Sequence, residues 1–331
     1  MGNRWLKIYL LAGILALASV VAAEIHWREL GYRATVVDDK DLWSTQRQRI
    51  DDNPRTLAVL GASRIQLGFS APAFKTLYPD WKLVNLSVNG HYPVAALLDL
   101  AENSEFRGVA LVSLDANASL TMFQPMQQPW VDYFHRDFGP GLALNAWLAA
   151  RWQEHVVTAN PELSLPKQAI AWLEKTGKPH ITYVIFDRMR FGHADYTQLD
   201  AEGHLRYRTE ELTKYFAEYP MPSPGDWLAG AQPIIRAIRT IQARGGRVVL
   251  LRMPTAFWDL DETYLPRRDY WDQLDRQEGV IGVHYKDVPG LSDYPLPDGS
   301  HLDGRDSWNF TRDVLNHLEQ MGVMQATTGK H

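Results

Sequence analysis

A chain of 331 residues has room for one large domain or two ordinary ones. Its apolar share of 45% against 22% charged residues describes a packed globular body and excludes a disordered one. Lys and Arg number 34 against 39 Asp and Glu, a formal charge of −5 with no basic patch in the sequence, so nothing supports a nucleic-acid partner; the absence of Cys excludes disulfides and thiolate-held metals.

Arg4 and Lys7 precede an apolar run from Ile8 to Ala23, and Glu24 closes it. With Trp5 and Leu6 added and Lys7 snorkelling, the run approaches the ~20 residues that a spanning helix needs. Residues 1–23 read as a membrane anchor, although Val21-Ala22-Ala23 also resembles a signal cleavage site. Either way the positive end stays in the cytoplasm and the body faces the periplasm or its equivalent. Residues 24–54 are mixed and charged. Asp41–Ile50 reads as a short helix in a stalk or linker closed by Pro54.

The body, residues 55–325, opens on Leu57-Ala58-Val59-Leu60, a short apolar run of the kind that forms a buried parallel strand. It ends in Gly61-Ala62-Ser63-Arg64, and a helix is expected over Ile65–Leu77. A Ser between a strand end and a helix start is well placed for chemistry, because backbone N–H groups point at it. The same position also suits a simple helix cap. A second strand is expected over Lys82–Ser87, then Val88-Asn89-Gly90 and a helix from Pro93 to Glu102. A third runs Val109–Leu114 into Asp115-Ala116-Asn117. This alternation predicts an α/β fold: a three-layer αβα arrangement around a five-stranded, mainly parallel sheet. Ligands of such sheets sit outside the carboxyl ends of the strands, where Ser63, Asn89, Gly90, Asp115 and Asn117 all fall.

Between about residues 121 and 228 the rhythm breaks. Helices are expected over Leu142–Val157 and Lys167–Thr176, and a hairpin over Tyr196–Arg208 around Asp200-Ala201-Glu202-Gly203. This block reads as an insertion on the ligand edge. The rhythm then resumes with a helix over Ala231–Gln242, a strand over Arg247–Arg252, broken helix over Asp259–Gln277, a strand over Val280–Tyr285 and a last helix from Arg305 to Met321. The tail, 326–331, is polar and reads as frayed. His193, Asp195 and His204 match no metal-ligand spacing, and no metal or cofactor is expected.

Asp298-x-x-His301 stands in a loop before the last helix. A serine nucleophile needs a base, and the base needs a group that holds its tautomer. Asp298 accepting from Nδ1 while Nε2 faces Ser63 would supply both. With Ser63, Gly90 and Asn117 this ensemble resembles the SGNH, or GDSL, hydrolase superfamily. Gly61-Ala62-Ser63-Arg64 stands where that family has Gly-Asp-Ser. Asn85–Gly90 resembles its second block, Leu111–Ala118 its third and Asp298–Leu302 its fifth. Ala62 replaces the family's Asp, and Asp115 and Ala118 replace the Gly and Asp around Asn117.

The resemblance, with a flavodoxin-like SGNH fold, implies Ser63, Asp298 and His301 as the catalytic triad and the N–H groups of Ser63 and Gly90 with the Asn117 amide as the oxyanion hole. Arg64, His91 and Asp115 are expected at the substrate. An exported body on one N-terminal anchor looks like the acyl-transfer factors of bacterial envelope polymers. The activity implied is acyl-ester chemistry, O-acetyl transfer to or removal from an envelope or secreted polysaccharide, alongside polysaccharide biosynthesis proteins. Two alternatives stand: a non-catalytic glycan-binding or scaffold body, and a lipid or small-ester hydrolase.

Overall fold

The computed structural model of the protein describes residues 2–179, 181–198 and 200–325. Helix α1 (Gly2–Glu29) is long and apolar enough to cross a membrane, and none of its apolar window is buried in the body. By length and composition it is a candidate membrane anchor or export signal. It does not stop at residue 23. Its last turns dock on the body, where the Glu24 carboxylate accepts the N–H groups of Val157 (2.8 Å) and Thr158 (2.9 Å).

Helix α2 (Lys40–Gln48) was expected in a stalk, yet it packs into the body. Trp43 is fully buried and its indole N–H donates to the Leu86 carbonyl at 3.1 Å. Arg47 makes a buried ion pair with Asp99 at 2.6 Å.

Strand β1 (Thr56–Leu60) leads into α3 (Ser63–Gly68) and α4 (Ala71–Leu77). The single helix expected over 65–77 is two, because Ser70 caps the second by accepting from Ala73 N (3.3 Å). Pro72 then sits in a first turn, where its missing N–H costs no hydrogen bond. Strand β2 (Lys82–Asn85), α5 (Val94–Glu102) and β3 (Val109–Ser113) follow as expected.

Between β3 and the next strand of the main sheet lie α6 (Gln128–Arg136), α7 (Pro140–Gln153), α8 (Leu165–Leu173), β4 (Val184–Phe186), β5 (Gly192–Ala194), α9 (Ala201–Glu218) and α10 (Pro224–Gly230). The hairpin expected over 196–208 is instead the start of α9. Asp200 acts as its cap, accepting from Gly203 N at 2.9 Å, so Asp-Ala-Glu-Gly is a helix's first turn and not a β-turn. Leu199 and the tail 326–331 lie outside the described residues. The antiparallel pair of this region is β4 with β5. It is pinned to the main sheet by fully buried Arg190, whose guanidinium donates to Asn85 O at 3.0 Å and pairs with Asp38.

The chain then runs α11 (Gln232–Ala243), β6 (Arg247–Arg252), α12 (Trp258–Tyr264), α13 (Trp271–Asp275), β7 (Ile281–His284) and α14 (Ser307–Gln320). The five strands β2-β1-β3-β6-β7 stand in that order, all parallel. Side chains alternate between faces with the period of two that a strand imposes. Ala58, Leu60, Val112 and Leu250 pack against α5, α11 and Trp43. Leu57, Val59, Leu111 and Leu251 pack against Phe74 of α4 and Val314, Leu315 and Leu318 of α14. The result is the expected three-layer αβα sandwich. Because β1 has β2 on one side and β3 on the other, the strand order reverses at β1, which opens the crevice where such sheets take ligands.

Candidate active site

Three loops meet at that crevice. β1 is followed by Gly61, where an added Cβ would stand 2.5 Å from Ile65 Cγ2 and 3.0 Å from Ser113 Cβ, so only glycine lets the turn pass this close to β3. Ser63 is then the first residue of α3. The leading N–H groups of a helix have no carbonyl partner within it, which leaves the Ser63 N–H free to face a ligand. β2 runs out to Gly90, held at φ +71 with open space around the Cβ position. Backbone conformation, not room, demands glycine there. β3 leads out to Asp115, whose carboxylate accepts from Asn117 N at 3.0 Å.

The fourth loop, before α14, brings the base. His301 Nε2 lies 2.7 Å from Ser63 Oγ, and His301 Nδ1 lies 2.8 Å from Asp298 Oδ2. Asp298 Oδ1 accepts the backbone N–H groups of Ser300 (2.9 Å) and His301 (2.8 Å), which fixes the carboxylate plane. Burial works against the Asp298 charge, yet the hydrogen bond and charge of His301 and the two backbone donors hold its carboxyl well below the ordinary range. Residues 238 positions apart in sequence are thus in hydrogen-bond contact, with the imidazole–carboxylate pair only partly exposed.

One further donor completes the array. Tyr196, next to β5, gives its hydroxyl to Asp298 Oδ2 at 2.9 Å. Burial, then the Asp298 charge, pushes the phenol far above its ordinary value, so it stays protonated and donates. Sequence reading missed Tyr196, because it lies in the irregular block and nothing local marks it. Gln127 was missed too. Fully buried, its amide donates to Gly61 O (3.0 Å) and His91 O (3.1 Å), tying the serine loop to the Gly90 loop.

A cavity of about 200 Å³ opens beside Ser63 and His301. Gly90, Arg64 and Asp115 line it, together with Tyr92, Arg208 and Arg252, which were not anticipated. Tyr92 donates to Asp115 at 3.3 Å, Arg208 pairs with Glu211 at 3.2 Å, and Arg252 pairs with Asp261. Arg64 has only a 3.5 Å contact from Nη2 to Ser300 Oγ, and its Nη1 is buried with no partner among the described residues.

Two expected site residues stand apart from the cavity wall. Asn117 is on the short 3-10 turn Ala116–Ser119, held by the Trp227 indole on Ala116 O (2.7 Å), and does not line the cavity. His91 turns away to pack on Trp130, ring centroids 4.6 Å apart, with Nδ1 2.6 Å from Asn89 O.

No family model matches the chain. The search of curated proteins finds no match either. Among solved structures the chain is similar to TesA at 14% identity and a TM-score of 0.37, over 80% of this chain and 99% of that one. The functional reading therefore stands on this chain's own side chains.

Proposed function

We propose that this protein is an SGNH-type serine acyl-ester enzyme that moves a short acyl group, acetyl foremost, onto or off a sugar hydroxyl of an envelope or secreted polysaccharide. The observation that carries it is the Ser63–His301–Asp298 hydrogen-bond chain on the ligand edge of the sheet. His301 Nε2 takes the Ser63 proton as Oγ forms its bond to the ester carbonyl carbon. The charge passes to the carbonyl oxygen, which the N–H groups of Ser63 and Gly90 receive; one such donor is typically worth about 3 kcal/mol of barrier. The ester C–O bond then breaks, and His301 returns the proton to the leaving alkoxide. In the second half an incoming hydroxyl, from water or sugar, gives its proton to His301, takes the acyl group, and Ser63 Oγ is protonated again. Asn117, which is not among the residues lining the cavity, is given no step here.

The cavity's size and walls support a short acyl group over a lipid chain. It is small and its lining includes Arg64, Arg208, Arg252 and Asp115, where a long acyl chain needs an apolar channel. The buried Arg64 Nη1, without a hydrogen-bond partner among the described residues, favours an acceptor that carries a carboxylate close to its reacting hydroxyl. With α1 retained as an anchor, the body would work on the periplasmic side.

The test is to incubate the full chain with an acetyl ester and a panel of neutral and uronic-acid oligosaccharides, following acetate by mass spectrometry. Acetate should land on sugar or water in a Ser63-dependent way. Arg64→Gln should raise KM for acidic acceptors about tenfold while leaving neutral ones within about twofold, the worth of one charge-assisted pair. Ser63→Ala with unchanged turnover would refute the reading.

A further inference from the structure

Helices α7 and α8 carry their side chains the wrong way round for a water-soluble surface. On α7 the residues buried against the body are Ala146 and Ala150, while Leu144, Trp147, Leu148 and Trp152 are exposed by 52–61%. Their spacing of three, four and eight puts these four on one helix face. On α8 only Ala171 is buried, whereas Leu165, Trp172 and Leu173 are exposed by 69–81%. Large apolar residues outward and alanines inward is the reverse of the usual pattern, and exposed apolar faces of this kind mark interaction sites.

The position of these faces bears on what covers them. The loop from α7 into α8 is fixed to the end of α1. Arg28 donates to His155 O at 2.8 Å, Glu24 holds the N–H groups of Val157 and Thr158, and Trp27 and Leu30 pack with Val157 and Leu163. A cleft of about 680 Å³ is walled on one side by Ile170 and Ala171 of α8 and on the other by Gly31, just past α1. The exposed face therefore lies beside the point where the apolar helix enters the body. Its chemistry is that of a bilayer interface: three Trp among the Leu, with exposed Arg151, Lys167, Lys175 and Lys178 beside them. Glu162 is paired with Lys167 at 3.5 Å, which leaves Glu174 as the exposed acid of α8's end.

We propose that α7 and α8 lie in the headgroup region of the membrane that α1 spans, their apolar faces against the acyl chains, so that the body is seated on the bilayer and not tethered above it. The proposal rests on α1 being retained as an anchor and is independent of the acyl chemistry.

The chain has no Cys, so single-cysteine variants can carry a nitroxide without a background. Leu148→Cys, Leu173→Cys and, as a control on α11, Arg239→Cys would be labelled in the full chain reconstituted in vesicles of phosphatidylethanolamine and phosphatidylglycerol. Retained thermal unfolding shows that each variant is folded. Collision with oxygen should exceed collision with a water-soluble nickel chelate by about threefold or more at 148 and 173, with the reverse at 239. Nickel-dominated collisions at 148 and 173 would overturn the proposal. So would low collision with both reagents, or spin–spin broadening, since these point to a protein partner or a second copy. Release of the chain by alkaline carbonate would overturn it through the anchor.

Discussion

Replacing Asp298 by Asn exposes how the triad is wired. Asp298 Oδ1 receives two backbone N–H groups, from Ser300 and His301, while Oδ2 faces His301 Nδ1. An asparagine must put its carbonyl oxygen where the two donors point, because an NH₂ there would face N–H groups. Its NH₂ then faces Nδ1, which can only accept. The imidazole proton is forced onto Nε2, against Ser63 Oγ, and the ring can no longer take the serine's proton. The wrong tautomer in such a triad lowers kcat by roughly 10⁴, which is about 5 kcal/mol of barrier at 1.36 kcal/mol per decade. KM should barely move, since Asp298 does not line the cavity. The assay is steady-state hydrolysis of an activated aryl acetate, with thermal unfolding as a control for the fold. Activity within about tenfold of the unmodified protein would refute this wiring.

Tyr196→Phe removes one of the donors on Asp298 Oδ2 but leaves both backbone donors and His301 in place. It should cost about 1.5–3 kcal/mol, read as a drop of roughly ten- to a hundredfold in kcat with KM unchanged. Arg47→Met strands the Asp99 carboxylate, 1% exposed, with only the exposed His135 and Asn103 beside it. Denaturant unfolding should show a loss of about 3–5 kcal/mol. His284 is pushed down to about 3, by burial and then by the Arg267 and Arg252 charges, and its neutral Nδ1 accepts from Lys286 N. The unfolded chain binds that proton first as pH falls below the ordinary 6.5, so stability contributed by the neutral ring is complete above pH 6.5 and drains away toward pH 3. Comparing unfolding free energies at pH 7 and 5, His284→Asn should lose less than the unmodified protein. Equal losses would contradict the assignment. Asp187, pushed up to about 6 by burial, has the opposite slope but is common to both chains.

The sheet was legible because its signals are local. Each strand is a short apolar run closed by small or polar residues, and parallel strands buried on both faces have to look that way. The serine and the Asp-x-x-His pair were legible for a related reason: strand ends and helix starts are where such a sheet displays chemistry. What escaped depends on contacts across the chain. Tyr196 and Gln127 act through partners at Asp298, Gly61 and His91, and no spacing in their own neighbourhoods points there. The Asp200 turn was misread because Asp and Gly serve a β-turn and a helix cap equally well, and the apolar residues of α9 decide for the helix only once a body exists to pack against. Asn117 stood in the right block of sequence, yet the 3-10 turn begun by Asp115 and held by Trp227 keeps it off the cavity wall. The reading of residues 24–54 as a stalk failed on Trp43 and Arg47, whose burial depends on Leu86 and Asp99 far along the chain.

The central claim is that Ser63 Oγ is a nucleophile activated by His301. The most direct measurement treats the full chain with a serine-directed fluorophosphonate and maps the adduct by peptide mass spectrometry. The account predicts one adduct, on Ser63, lost in Ser63→Ala and strongly slowed in His301→Ala. No adduct, or one that persists at another residue in Ser63→Ala, would contradict it.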